Sequence, residues 1–242
     1  MSNAPNRKRR PPSAPSAASN RWVVWTVLGV IALVAVIAVV VVAASGGGND
    51  EATEKRPAKF QTAPQLTVGG TSLPRFDSGT RDAAVGVAAP TLDSVDFAGK
   101  AVQAGGATGK PYALVFLAHW CPHCQAEVPR LVGLAKGGQI AGVDVVGIPT
   151  ATSDQAVNFP PSAWLAREKW PFPVLLDTAK GKAGQAYGLS AFPYFVFVDP
   201  SGKVVGRTSG EMEPDQVEAV FEALAKGQPL PIPGAGASSS AR

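Results

Sequence analysis

The segment from Ala113 to Cys124 constrains this chain most. Six consecutive apolar residues, Ala113-Leu114-Val115-Phe116-Leu117-Ala118, run directly into His119-Trp120-Cys121-Pro122-His123-Cys124. An unbroken apolar run of this kind is expected of a central strand, whose pleat meets no water on either face. Beyond it, Val128, Leu131, Val132 and Ala135 recur at helical spacing. Val143 to Pro149 reads as a second apolar strand, and Val174 to Leu176 as a short third one. Between them Ser162 is placed to cap a short helix through Lys169, with Trp164 and Leu165 available for burial. Tyr194 to Val198 is another strand, turned by Asp199-Pro200-Ser201-Gly202 into a partner over Lys203 to Arg207. Pro214 starts a closing helix whose apolar face carries Val217, Val220, Phe221 and Leu224. Strands first separated by helices and then joined by a hairpin predict an α/β sandwich with a mixed sheet.

Composition locates the rest. Hydrophobic residues make up 45% and charged residues 17% of the 242, which excludes disorder throughout, yet Gly (26) and Pro (22) are too many for compact structure along the whole length. The net charge of +4 is local: Arg7, Lys8, Arg9, Arg10 and Arg21 precede any acid, leaving 17 basic against 18 acidic residues beyond them. A basic face for nucleic acid is therefore not expected. Beside that basic tail, Trp22 to Ala44 carries no charge over 23 residues. About 20 such residues suffice to cross roughly 30 Å of hydrocarbon. Trp22 and Trp25 stand where aromatic rings favour the headgroups, and the flanking cations orient the N-terminus toward the cytoplasm. Ala43-Ala44-Ser45 offers small residues for signal cleavage, but the apolar stretch far exceeds the roughly 7–15 residues of a cleaved signal. The expected organisation is a basic cytoplasmic tail (1–21), a single-pass anchor (22–44), a flexible spacer (45–85), an extracytoplasmic catalytic domain (86–226) and a disordered Pro/Gly/Ser tail (227–242). Within the spacer, Gln65 to Val68 offers one short strand.

The chemistry concentrates at the strand–helix junction. The chain's two cysteines are spaced C-x-x-C there, and both of its histidines, His119 and His123, lie beside them. Free N–H groups and positive partial charge at a helix start stabilise a thiolate on the first cysteine. An imidazolium at His123 would act in the same sense. An inert disulfide is the bland alternative, but a bridge closing so short a loop removes little chain entropy. No metal is expected, because a structural zinc site takes four ligands, commonly as two spaced pairs, and no second pair exists. Soft Cu(I) held by two thiolates keeps a copper-binding module as a non-enzymatic alternative.

From about Gly86 to Lys226 the chain resembles the thioredoxin-like superfamily, and most resembles its membrane-anchored, TlpA-type thiol–disulfide oxidoreductases. The resemblance is carried by Gly86-Val87-Ala88-Ala89-Pro90, a short hairpin around Asp96 to Lys100, Trp120-Cys121-Pro122-His123-Cys124 with Glu127-Val128-Pro129 downstream, and Tyr187-Gly188-Leu189-Ser190-Ala191-Phe192-Pro193. It implies a thioredoxin-like three-layer sandwich with a mixed central sheet. It makes Cys121 the nucleophile and Cys124 the resolving thiol, with the redox-active disulfide Cys121–Cys124 in place of any cofactor. Pro193 becomes a cis-proline facing the active site, and the backbone at Phe192 hydrogen-bonds an extended substrate segment. Trp120 walls the site. Glu127, one turn past Cys124, moves protons for it or is simply a solvated helix charge.

Two positions depart from the pattern. Val115 stands where thioredoxin carries a buried acid, so proton transfer falls to Glu127, His119 or water. Pro122-His123 is the dipeptide of DsbA-like oxidants, which lie near about −120 mV against roughly −270 mV for thioredoxin, a span of about 7 kcal/mol. The expected partners are exported protein thiols or disulfides and a membrane redox protein that resets the pair. The direction leans to oxidant. The alternatives are a TlpA-like reductase, as for cytochrome c maturation, and a thiol peroxidase. The last would need a threonine three residues before its cysteine, where Ala118 stands.

Overall fold

The computed structural model describes residues 58–78 and 81–235. The basic tail and the anchor, 1–44, lie outside the described residues. Among the described residues no helix is long and apolar enough to cross a membrane.

A four-stranded sheet forms the centre, in the order β5 (Asp144–Pro149), β4 (Tyr112–Leu117), β6 (Tyr194–Val198) and β7 (Val204–Ser209). Strand β4 (Tyr112–Leu117) is buried at all six positions. It runs parallel to β5 (Asp144–Pro149) and antiparallel to β6 (Tyr194–Val198), so Leu114 lies opposite Val146 on one side and Val196 on the other. A parallel neighbour requires a crossover, and helix α1 (Pro122–Gly137) supplies it. Strand β7 (Val204–Ser209) closes the edge as the hairpin partner of β6. Asp199 Oδ1 shapes that hairpin by accepting the N–H groups of Ser201 and Lys203. The thioredoxin-like α/β fold with a mixed sheet is thus present.

The period of two in β4 divides the core. Ala113, Val115 and Leu117 join Val128 and Leu131 of α1 and Val217 and Phe221 of helix α4 (Pro214–Ala225). Tyr112, Leu114 and Phe116 face the opposite layer, with Ala183 and Ala186 of α3 (Lys182–Ala186) and Leu92 of a second sheet. That sheet is antiparallel, β1 (Thr67–Gly69), β2 (Thr91–Val95) and β3 (Ala101–Ala104) in order. Asp96 Oδ1 turns β2 into β3 by accepting the N–H groups of Ala98 and Lys100.

The folded unit is longer than 86–226 at both ends. Residues 58–78 are packed rather than forming a spacer: Leu66, Leu73 and Phe76 are buried, and the amides of Leu73 and Phe76 donate to Ala186 and Gly188 carbonyls. The sequence hides this because these apolar residues follow no helical or strand period and bond to segments over a hundred residues away. At the other end Leu230 and Ile232 are buried, so 227–235 is not a loose tail. Gly206 of β7 makes room for them, since a Cβ there would lie 3.1 Å from Leu230 and 3.0 Å from Ile232.

Two local expectations also change. Val174 makes an isolated bridge to Gly147; the segment stays beside β5, with Leu175 N–H on the Gly147 carbonyl and Asp177 N–H on the Pro149 carbonyl, while Leu176 N–H goes to the Val95 carbonyl of the small sheet. Helix α2 covers Pro161–Arg167 with Pro160 at its cap, and the Ser162 N–H bonds Gln61 Oε1. Two prolines preset the helix start, leaving the serine inside it.

Candidate active site

The end of β4 delivers Cys121 to the N-cap of α1, in extended conformation, with Pro122 in the first turn. Proline suits that position because its missing N–H would have had no helical partner. Cys121 is 6% exposed and Cys124 is wholly buried behind it; both are free thiols. The Cys121 thiol points to the Phe192 carbonyl, 3.9 Å away. Cys124 Sγ accepts the Ala118 N–H at 3.4 Å. Burial pushes the Cys124 thiol far above its ordinary range, with the neighbouring Cys121 sulfur and the Glu127 charge adding to the effect. One sulfur is therefore reachable, and the other holds its proton behind it.

The loop before β6 lies across from this pair. The Phe192–Pro193 peptide is cis. Trp120, 37% exposed, packs edge-on against the Phe192 ring with centroids 5.9 Å apart and donates its indole N–H to the Ala151 carbonyl. An open groove of about 410 Å³ continues from Phe192, lined by Ala151, Lys180, Leu189 and Ala191 among others. Phe159 and Val157, both exposed, stand on the far side of His119. Phe159–Pro160 is a second cis peptide.

The three remaining polar candidates separate. His119 is 1% exposed; its Nδ1 lies 2.7 Å from the Val157 carbonyl, and its Nε2 accepts the Ser153 N–H. With both ring nitrogens bonded to backbone groups, His119 ties down the 151–158 loop. His123 is exposed, and its Nδ1 lies 2.6 Å from Glu211 Oε1. Glu127 is not a solvated helix charge: it is fully buried, and its Oε2 receives the Met212 N–H and Arg130 Nη1. Its Oε1 has no partner among the described residues. Burial raises this carboxyl to about 7. Val115, by contrast, is an ordinary core residue. Glu127 is the acid that the interior beside the cysteines holds. Arg130 and Glu211 were not anticipated, since Glu211 meets His123 across 88 positions of sequence.

A stability consequence follows from Glu127. Its folded value lies above the unfolded one, so the folded state binds more protons between the ordinary carboxyl range and about 7. Stability of the reduced protein is then highest at low pH within that window and falls as pH rises through it, by roughly 2–3 kcal/mol. Glu127→Gln is expected to flatten this slope in urea titrations between pH 5 and pH 8, whereas parallel slopes would show that the carboxyl is not protonated when folded.

A family model described as Redoxin matches residues 83–224, more than half of the chain. The thiol-disulfide oxidoreductase ResA of Bacillus subtilis (strain 168) is 29% identical over 152 residues, covering 62% of this chain and 82% of that protein. The thiol:disulfide interchange protein HelX of Rhodobacter capsulatus is 29% identical over 120 residues, 49% of this chain and 63% of that one. Among solved structures, a hypothetical protein from Sinorhizobium meliloti 1021 aligns with a TM-score of 0.52 at 18% identity, covering 66% of this chain and 91% of its own. That last likeness concerns the fold alone.

Proposed function

The chain belongs to the Redoxin family and is a thiol–disulfide oxidoreductase of the TlpA type; within that class we propose that it is a membrane-anchored oxidant of exported protein thiols, acting outside the cytoplasm through Cys121 and Cys124. The observation that carries the exchange roles is the asymmetry of the two sulfurs: Cys121 stands at a helix N-terminus with 6% of the residue exposed, and Cys124 is wholly buried with its thiol pushed up by burial. Trp22 to Ala44 is the proposed anchor, with Met1 to Arg21 on the cytoplasmic side.

In the oxidising direction a substrate thiolate attacks Cys121 Sγ of the disulfide form. The Cys121–Cys124 bond breaks, and its electron pair leaves with Cys124, which takes a proton. Glu127 is the proposed donor, being the buried acid nearest in titration range. A second substrate thiolate then attacks the substrate sulfur of the mixed disulfide and releases Cys121 as a thiolate. The substrate loses two electrons and the protein gains them. A membrane redox partner returns the pair to the disulfide.

Trp120 and the Phe192 backbone, on either side of the Cys121–Phe192 contact, are proposed to bind the substrate segment that carries the reacting sulfur. Pro193 fixes that backbone. Trp120→Ala is expected to slow oxidation of a reduced protein about tenfold or more while changing the rate with a small thiol by less than about twofold, a loss of aromatic contact energy confined to extended substrates. Equal losses with both would contradict a substrate-binding role.

The oxidant direction rests on the Pro122-His123 dipeptide. The purified full-length protein equilibrated in glutathione buffers is expected to give a potential nearer about −120 mV than −270 mV. A value at the thioredoxin end would make the protein a reductase, the alternative favoured by its scaffold.

A further inference from the structure

Glu211, in the loop between β7 and α4, has no place in the exchange chemistry, yet it meets His123 of the active-site turn and Arg130 of α1. Its Oε1 lies 2.6 Å from His123 Nδ1, and its Oε2 accepts Arg130 Nη1 at 2.8 Å. The same Arg130 nitrogen also reaches Glu127 Oε2 at 3.4 Å and the Met212 carbonyl at 3.3 Å. A continuous set of contacts thus joins the residue between the two cysteines to the buried acid that shifts Cys124. Hydrogen bonding from His123, with Arg130 assisting, holds the Glu211 carboxyl below the usual carboxylate range. A fixed negative charge therefore stands against a helix start and a histidine that both favour a thiolate.

We propose that Glu211 is a positioning residue that limits the oxidising power of the Cys121–Cys124 pair, by serving as the carboxylate shared between His123 and Arg130. The inference rests on the thiol–disulfide reading of the site. Reduction of the pair adds two electrons and breaks the Cys121–Cys124 bond, and the charge that appears is the thiolate on Cys121. A carboxylate tied to the adjacent imidazole and guanidinium opposes that charge and offsets their field. Removing it leaves the Arg130 guanidinium without this partner and takes a negative charge away from the turn that holds the Cys121 thiolate, which favours the reduced form.

Glu211→Gln keeps the size and one acceptor oxygen but removes the charge. In glutathione buffers, where one protein disulfide and two glutathione thiols give the dithiol and oxidised glutathione, its equilibrium constant is expected to shift about fivefold toward the dithiol, or about 20 mV. Cys121 alkylation should extend to lower pH in the same variant. Both changes should shrink as salt rises from about 0.01 M to about 1 M, because the groups are partly exposed and screened. In a His123→Ala background the same substitution should shift the constant by less than about twofold, and Glu211→Asp should restore most of the wild-type value. A Glu211→Gln constant within twofold of wild type at low salt overturns the proposal, as does a full shift that survives without His123. A purely structural role would lower the denaturation midpoint and leave the constant and its salt dependence unmoved. A wild-type pair that does not exchange with glutathione at all would instead remove the underlying thiol–disulfide reading.

Discussion

Cys121→Ser is expected to lower thiol–disulfide exchange at least about a thousandfold, with the fold intact. The hydroxyl occupies the N-cap position as well as the thiol does, and serine is a favoured cap. What it cannot do is accept or carry a sulfur–sulfur bond. Nothing else in the chain replaces it, since the only other cysteine has no exposed surface and a thiol held protonated by burial. Loss of a nucleophile whose partners act only through it removes nearly all catalysis. The measurement is the rate at which oxidised protein converts a reduced substrate protein, with circular dichroism as the control for folding. Residual activity within tenfold of wild type would mean that Cys124, oxidised as a mixed disulfide with a small thiol, exchanges directly with the substrate, contrary to its burial.

The second large effect is structural. The side chains of Asp82 and Arg207 are each 1% exposed and form a forked ion pair, with Arg207 Nε 2.9 Å from Asp82 Oδ2 and Nη2 on Oδ1. The remaining Arg207 nitrogen donates to the carbonyls of Pro74 and Tyr187 and to the Tyr194 hydroxyl. This cluster fastens the segment before β2 and the loop leading to Pro193 onto β7. Gly188 allows it, because its backbone is left-handed and a Cβ would lie 2.1 Å from the Pro74 carbonyl oxygen. Asp82→Ala leaves a buried guanidinium without its charge partner, which typically costs about 3–5 kcal/mol. Urea denaturation of the reduced protein should show that loss. Replacing both residues with apolar ones should recover part of it, since two buried charges carry their own desolvation cost. A loss under about 1 kcal/mol from Asp82→Ala would show that water reaches Arg207.

The central elements were legible because their signals are local. The β4 run, the C-x-x-C junction, the α1 spacing and the β6–β7 hairpin each lie within a few turns of chain. Pro193 was legible only through the motif around it. The parts that the sequence concealed are joined across long separations. Leu73 and Phe76 look like apolar residues in a linker until their amides are seen to bond Ala186 and Gly188. Glu127 reads equally as a proton-moving group or a solvated helix charge, and only the Met212 loop over it decides that it is buried. His119, next to the motif, invites a catalytic role, but its two nitrogens are spent on Val157 and Ser153. Glu211 carried no signal at all, being one more acid in a loop.

The most direct test of the whole account uses Cys124→Ala, which removes the resolving sulfur and leaves the attacking one. Incubated with a protein disulfide, it should accumulate a mixed disulfide that peptide mapping places on Cys121, released by reductant and absent from the Cys121→Ser protein. A Cys124→Ala protein that stays unmodified under the same conditions, while its Cys121 remains alkylatable, would contradict the assignment of Cys121 as the exchanging sulfur.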